Sequence, residues 1–422
     1  MLYQLHEYNR ALLSPVVQMA KAAADMFSAP GSWLAQLPGA NRAAAAYELL
    51  YRLGKDYEKP PWSIHDVDID GAHVPVVEQV VLARPFCRLL RFERRTEEPH
   101  LADRLDRDPV VLVVAPLSGH HATLLRDTVR TLLVHHDVYV TDWIDARMVP
   151  LNEGPFTLDS YVGYLRQFIR RIGADRIHVL AVCQPAVPVL AAASLMASAG
   201  EPQPRSLILM GGSVDARRSP TRVNEFASSR SLHWFETHLL HEVPDMYPGR
   251  GRRVYPGFLQ HAGFMAMNPL RHFESHWDFY EHLVQGDLQN AEEHRRFYDE
   301  YNAVLDMPGE YYIDCIRVVF QQHLLPRGLW HVAGDRVAPE AITRAALLTI
   351  EGEHDDISGP GQTQAALDLC SGIPDERKRH ITIEGVGHYG LFSGRRWRQT
   401  VYPRVRDFIA AADARFDPSR TG

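Results

Sequence analysis

The period of apolar and polar positions changes several times along this 422-residue chain. Over the first 56 residues, Leu12, Val16, Met19, Ala23 and Met26 recur at three- and four-residue steps, the period of one helix face, and Ala29-Pro30-Gly31 breaks the pattern. Helices are therefore expected over 1–56, with that stripe packed on the protein's own domain rather than docked on an outside surface. From 64 to 94 the period drops to two, with Asp70-Gly71 as a turn signal. This predicts antiparallel opening strands and makes Cys87 a strand core residue. Residues 94–108 read as a charged connector.

A β/α rhythm follows. Buried strands are expected at 110–114, 137–143, 177–182 and 207–210, and helices at 124–134, 157–172 (capped by Thr157) and 186–199. After Gly211-Gly212 the alternation stops, and 215–336 is helical in tone. It resumes with a strand at 345–350, a helix at 362–369 that leaves Cys370 at its apolar end, a strand at 380–384 and an amphipathic terminal helix at 397–411. Strands alternating with helices predict an α/β fold, a mainly parallel sheet flanked by helices and carrying a helical cap insertion. The implied segments are 1–56, 57–214, 215–336 and 337–422. Of the 40 aromatic residues, 18 fall in the 122 positions of the insertion, enough to suit either an apolar substrate surface or the insertion's own core. Trp234, Phe235 and Trp277 are candidates for the first role.

Composition narrows the class. Hydrophobic residues at 45% supply a large core, and a net charge of −7 gives no general attraction to nucleic acid. The clusters Arg250-Gly251-Arg252-Arg253 and Arg395-Arg396-Trp397-Arg398 are short, and read as solvated turns or helix faces. The four cysteines, Cys87, Cys183, Cys315 and Cys370, are far apart with no C-x-x-C pair, which points away from a disulfide framework or structural zinc and toward a reducing interior. No metal or other cofactor is expected. The first ten residues lack the basic and apolar regions of a secretory signal, and no apolar run reaches the roughly 20 residues that span a bilayer.

Candidate chemistry gathers at the ends of the expected strands. Cys183 stands where the strand 177–182 runs into a small-residue helix, so its side chain would project above the sheet edge, with unpaired N–H groups of the helix start aimed at it. Ala181 and Pro185 occupy the positions that are glycine in a G-x-S-x-G elbow, and cysteine replaces serine. Further on, Asp355 follows the strand 345–350, and His388 follows the strand 380–384, flanked by Gly387 and Gly390. Cys183, Asp355 and His388 thus occur in the chain order nucleophile, acid, histidine of an α/β-hydrolase triad. Asp356 competes for the acid role; Asp355 is preferred because it stands nearer the strand end. An oxyanion hole needs two donors: the Gln184 N–H by position, and Leu117 or Ser118 from the loop after the first parallel strand. His120 and His121 either line the site or simply build that loop.

These motifs resemble a family. Ala181-Val182-Cys183-Gln184-Pro185, Gly352-Glu353-His354-Asp355-Asp356-Ile357-Ser358, Gly385-Val386-Gly387-His388-Tyr389-Gly390 and Ala115-Pro116-Leu117-Ser118-Gly119-His120 look like those of the intracellular polyhydroxyalkanoate depolymerases acting on short-side-chain polymer. The resemblance implies cytoplasmic hydrolysis of poly(3-hydroxybutyrate) esters at the polymer granule surface through an acyl-thioester intermediate, and leaves homo-oligomerisation open. Two alternatives stand beside it. A polyhydroxyalkanoate synthase-like acyltransferase uses the same three residue types but keeps glycines where this chain has Ala181 and Pro185. A non-catalytic granule-binding protein would have no need of Asp355 and His388 at those turns.

Overall fold

A computed structural model describes residues 2–416; Met1 and residues 417–422, the outer ends of the first and last expected segments, lie outside the described residues. Nine strands form one sheet: β1 (Asp66–Ile69), β2 (Ala72–Arg84), β3 (Cys87–Arg94), β4 (Val110–Val114), β5 (Asp137–Trp143), β6 (Ile177–Val182), β7 (Ser206–Met210), β8 (Ala346–Gly352) and β9 (Lys378–Ile383). Their spatial order is β1-β2-β3-β5-β4-β6-β7-β8-β9. The first three pair antiparallel and β3 pairs antiparallel with β5; the rest of the sheet is parallel. Strands β4, β6, β7 and β8 are buried along their whole length, as expected of central strands covered by helices on both faces.

The crossover helices are α4 (Arg126–Leu132), α5 (Leu158–Ile172) and α6 (Ala186–Ser198), of which α6 is buried at nearly every position. α5 opens on a capping box in which the Thr157 hydroxyl accepts from Ser160 N–H and the Ser160 side chain answers the Thr157 N–H. The charged stretch after β3 is not a plain connector: Pro99–Arg107 is a helix, α3. Pro99 at its first turn and Leu105 buried on one side explain the helix, in a stretch too short and too charged for its period to stand out.

The N-terminal stretch is a helical hairpin, α1 (Leu2–Ser28) and α2 (Ala40–Gly54). Its packing corrects the expectation. Tyr3, Val17, Ala20 and Ala24 face the protein, while Leu12, Val16, Met19 and Met26 are exposed. The small alanines allow close approach on one side and leave the large apolar stripe on the other.

Between β7 and β8 lie α7 (Arg222–Ser229), α8 (Leu232–His238), α9 (Gly257–Met267), α10 (Pro269–Gln285), α11 (Leu288–Tyr301) and α12 (Gly309–Cys315), with short strands at His241–Glu242, Arg253–Tyr255 and Met307–Pro308 pairing antiparallel. This layer is tied to the loops that leave the C-terminal strand ends: Leu305 N–H donates to Gly119 O at 2.7 Å, Ala146 N–H to Asp306 O at 3.1 Å and Gly249 N–H to Arg147 O at 2.7 Å. Arg252, almost wholly buried, donates to the carbonyls of Val149, Pro150 and Gly154 beyond β5. After β8 come α13 (Ala365–Leu369) and the terminal helix α14 (Tyr402–Asp413).

Candidate active site

The site is built at one backbone corner. β6 delivers Cys183 with its N–H still donating to Met210 O at 2.7 Å, so the residue stays in register with β7. The chain then reverses: Ala186 N–H donates to Cys183 O at 3.1 Å and Pro185, at φ −58°, leads into α6. Cys183 itself sits at φ +67°, the left-handed region that costs a non-glycine residue about 1–3 kcal/mol. Such strain persists only where the surroundings over-determine it, and here two ladders and a helix start do so.

Space for the corner comes from a neighbouring strand. A Cβ on Gly212 would lie 2.3 Å from Ala186 Cβ and 2.7 Å from Cys183 O. One on Gly211, at φ +58°, would lie 3.2 Å from both Asp355 Oδ2 and His388 Cε1. The glycine pair ending β7 therefore makes the room that the elbow, lacking its own glycines, cannot make. In the sequence the pair reads only as a strand end; two consecutive glycines ending the strand beside β6 are the signal that could have found it.

Asp355 and His388 meet beside this corner. Asp355 is buried, and both of its oxygens are engaged. Oδ1 accepts from Ile357 N–H at 2.9 Å and Ser358 N–H at 2.8 Å, and Oδ2 faces His388 Nδ1 at 2.8 Å. Asp356 points outward to solvent and accepts from Asn268 Nδ2 at 3.1 Å. Glu353 is likewise exposed, holding Gly385 N–H at 2.8 Å. Burial alone would push the His388 imidazole down, but Cys183 and Asp355, by charge and hydrogen bonding, together lift it well above its ordinary value. Cys183 thus acts on the same ring that Asp355 orients. An imidazole so placed favours its protonated form.

Gln184 N–H has no hydrogen-bond partner among the described residues, and the same holds for Ser118 N–H. Leu117 N–H is taken: it donates to Gln184 Oε1 at 3.2 Å, while Gln184 Nε2 reaches the buried Cys315 Sγ at 3.6 Å. The loop beneath is fixed by Trp143 Nε1 donating to Ala115 O at 2.8 Å and by Ala115 N–H donating to Thr141 Oγ1 at 2.9 Å.

His120 and His121 are both buried, and burial pushes them down to about 4 and about 3, so they are neutral near pH 7. His120 Nε2 faces Tyr301 O at 3.1 Å and its ring stacks on Phe264 at 4.8 Å. Tyr389 completes the group, 6.0 Å from Tyr301 and 5.8 Å from the His388 ring. Tyr301, from α11, is a site neighbour that the sequence does not single out, and Phe264, from α9, stands there only as one of the insertion's aromatic residues. The three aromatic residues that it does single out pack elsewhere in the insertion: Phe235 is completely buried in a cluster with Ala227 and Ile316, Trp234 stacks on His238 at 4.8 Å, and Trp277 is exposed with its Nε1 on Glu281. Among the described residues no group of histidine, cysteine and carboxylate side chains could hold a metal ion, and no helix is long and apolar enough to cross a membrane. All four cysteines are free.

A mainly parallel sheet with helices on both faces, a strained residue at the β6–α6 corner and an Asp–His pair from the ends of later strands define an α/β-hydrolase. Residues 211–413 match the family model described as the PHB de-polymerase C-terminus. That stretch, just under half of the chain, carries the C-terminal domain of PHB depolymerases, and the protein is a carboxylic ester hydrolase. Similar solved structures include the 2-hydroxy-6-oxo-6-phenylhexa-2,4-dienoate hydrolase of Rhodococcus sp. strain RHA1, at 13% identity over 80% of this chain and 99% of that one, with a TM-score of 0.40. A monoacylglycerol lipase of Paleococcus ferrophilus (12% identity, 72% and 96% covered, TM-score 0.42) and a carboxylesterase of Bacillus subtilis (11%, 88% and 98%, TM-score 0.40) also match. No curated protein matches the chain.

Proposed function

We propose that this hydrolase cleaves the ester bonds of poly(3-hydroxybutyrate) or a similar short-side-chain polyester inside the cell, with Cys183 as nucleophile, His388 as acid and base and Asp355 as the group that orients it. The reading rests on one observation above the rest: a cysteine at φ +67° that acts on a buried imidazole whose Nδ1 lies 2.8 Å from a carboxylate.

In this mechanism Cys183 Sγ attacks the ester carbonyl while its proton resides on His388 Nε2. The carbonyl electrons move onto oxygen, and the Gln184 N–H, unpaired at the start of α6, stabilises that charge together with a second amide, for which Ser118 N–H is available. Collapse breaks the C–O bond, His388 delivers its proton to the departing hydroxyl end, and the acyl group remains as a thioester on Cys183. Water then gives a proton to His388 and attacks the thioester; the acid leaves and the thiol is restored. Thiolate is the stronger nucleophile, so a histidine held in its protonated form suits the first step.

We assign residues 215–336 the role of a cap over the strand ends, with Tyr301, Phe264 and His120 walling the site beside Tyr389. Neutral His120 and stacked rings give an apolar wall for methyl-bearing ester units. The test is release of 3-hydroxybutyrate from its soluble trimer and from amorphous polymer by the wild type and by Cys183→Ala. Loss of about three orders of magnitude or more in both is expected. Retained hydrolysis in the variant overturns the assignment, and polymer formation from 3-hydroxybutyryl-CoA in place of hydrolysis overturns the reaction class.

A further inference from the structure

The N-terminal hairpin is not a loosely attached appendage. Tyr3 is buried against Ala146, Val243 and Val254, with its hydroxyl on Asp306 Oδ2 at 2.6 Å, and His6 stacks on Phe258 of α9 at 3.9 Å. Further along, buried Arg52 donates to Asp299 Oδ1 at 3.0 Å, and Glu48 pairs with Arg295 at 2.7 Å. Ala146 lies in the loop leaving the C-terminal end of β5, and Asp306 of the insertion accepts its N–H, so the hairpin is bolted to the end of the molecule that carries Cys183.

Bolted there, it leaves an unpartnered apolar face. On α1, Leu5, Leu12, Val16 and Met19 are more than half exposed, Met19 at 72%. At the hairpin tip, Trp33 is exposed at 70%, and on α2 Leu50 and Leu53 are exposed too. α2 lies between α1 and α10, and α10 continues the theme: Leu270 is 75% exposed, Phe273 68% and Trp277 52%, at i, i+3 and i+7. With fully exposed side chains of this size at about 150–200 Å² each, the sum is on the order of 1,000 Å², against the 300–600 Å² of the largest patch on an ordinary monomer. Charge is sparse along α1, where Lys21, paired with Asp25, is the sole charged residue between Leu12 and Ala24, whereas on α10 exposed Arg271, Glu274 and Asp278 are interleaved with the apolar side chains.

The face is also continuous with the active-site rim. The residue preceding α10, Asn268, donates to Asp356, next to Asp355, and Leu270 and Phe273 follow it two and five residues along the chain. A second copy of the chain seated there would cover the rim. An uncharged, water-insoluble polyester surface would instead be held against it, and its neutrality matches that of the α1 stripe.

We infer that the exposed apolar face of α1, α2 and α10 is the element that docks this enzyme on the surface of its solid polymer substrate. The inference rests on the polyester reading of the site. Docking of this kind needs no register, because apolar side chains enter a disordered surface by area alone.

The experiment compares three full-length chains: wild type, the triple variant Leu12→Gln/Val16→Gln/Met19→Gln, and the double variant Phe273→Gln/Trp277→Gln. Retention on detergent-free amorphous poly(3-hydroxybutyrate) particles is measured by sedimentation, alongside hydrolysis of the soluble trimer, melting temperature and solution mass. Retention is expected to fall about tenfold or more in each variant, with polymer hydrolysis at limiting enzyme falling in step. Trimer hydrolysis and melting temperature should stay at the wild-type level, since the replaced side chains are exposed. Equal retention of all three chains overturns the inference and leaves the site reading standing if the trimer is still cleaved. A wild-type dimer that the triple variant converts to monomer with retention intact also overturns it, showing that a second copy covers the face. So does preferential binding of the wild type to vesicles of equal phosphatidylglycerol and phosphatidylcholine over polymer. A wild type that is retained but cleaves no trimer supports docking and removes the catalytic reading.

Discussion

Asp355 and Asp356 are adjacent in sequence and differ in everything that matters to an imidazole. Asp355 is buried, receives two backbone N–H groups and faces His388; Asp356 is exposed and holds Asn268. Asp355→Asn should lower kcat about 10³- to 10⁴-fold, because the amide favours the wrong tautomer, whereas Asp356→Asn should stay within about threefold. Steady-state kinetics on the trimer checks the ranking. The His388 pKa gives an independent readout. Burial lowers it, and Cys183 and Asp355 raise it, with the raising side winning. Removing the thiol in Cys183→Ala takes away one raising partner and leaves the effect of burial, so the imidazole must titrate at lower pH in the variant. An NMR titration following the His388 ring shows this; an unchanged or higher midpoint would mean that Cys183 does not face the ring. The space behind the corner is equally testable. Gly212→Ala places a Cβ against backbone and Ala186, where nothing flexible can yield, and should cost about 1–3 kcal/mol in chemical denaturation together with most of the activity.

At the scale of elements, the apolar pattern is legible where burial enforces one period and ambiguous where it does not. Strands β4 through β8 and helices α5 and α6 stand out because both faces of each strand, and all sides of α6, are covered. α3 escapes the pattern because its one buried residue, Leu105, leaves no periodic stripe among nine residues. α1 is plain as a helix, yet its large apolar stripe faces outward where the pattern suggests inward. Periodicity reports that a face is apolar, and says nothing of what covers it. The order Cys183, Asp355, His388 and their places at strand ends are visible for the same reason as the strands. The wall of Phe264, Tyr301 and His120 is not, since it joins α9, α11 and the β4 loop through tertiary contacts that no local pattern encodes. Arg252 likewise looks like part of a solvated basic cluster, yet its buried guanidinium caps three carbonyls beyond β5. Arg252→Ala should strand those carbonyls and lower stability by about 3 kcal/mol, with faster proteolysis inside 215–336 as the local sign; a melting curve like that of the wild type would contradict the latch.

The whole molecule places its parts at one end of the sheet. The strand ends supply the corner, the acid and the histidine, the insertion is hydrogen-bonded onto the loops leaving those ends, and the hairpin is pinned to the insertion with its apolar stripe outward. Under the proposed docking and mechanism, surface attachment and bond cleavage are adjacent but separable, since the exposed apolar face of α1, α2 and α10 contains none of Cys183, Asp355 and His388. In the proposed mechanism every later step depends on Cys183 carrying the acyl group. The most direct test is therefore to mix the enzyme with the soluble trimer, quench in acid within the first turnover, digest, and map the modified peptide by mass spectrometry. The expected result is a 3-hydroxybutyryl or oligomeric acyl adduct on the peptide carrying Cys183, which hydroxylamine removes and which Cys183→Ala lacks. An adduct on any other residue, or turnover of the trimer by Cys183→Ala at the wild-type rate, would contradict a Cys183 acyl-enzyme.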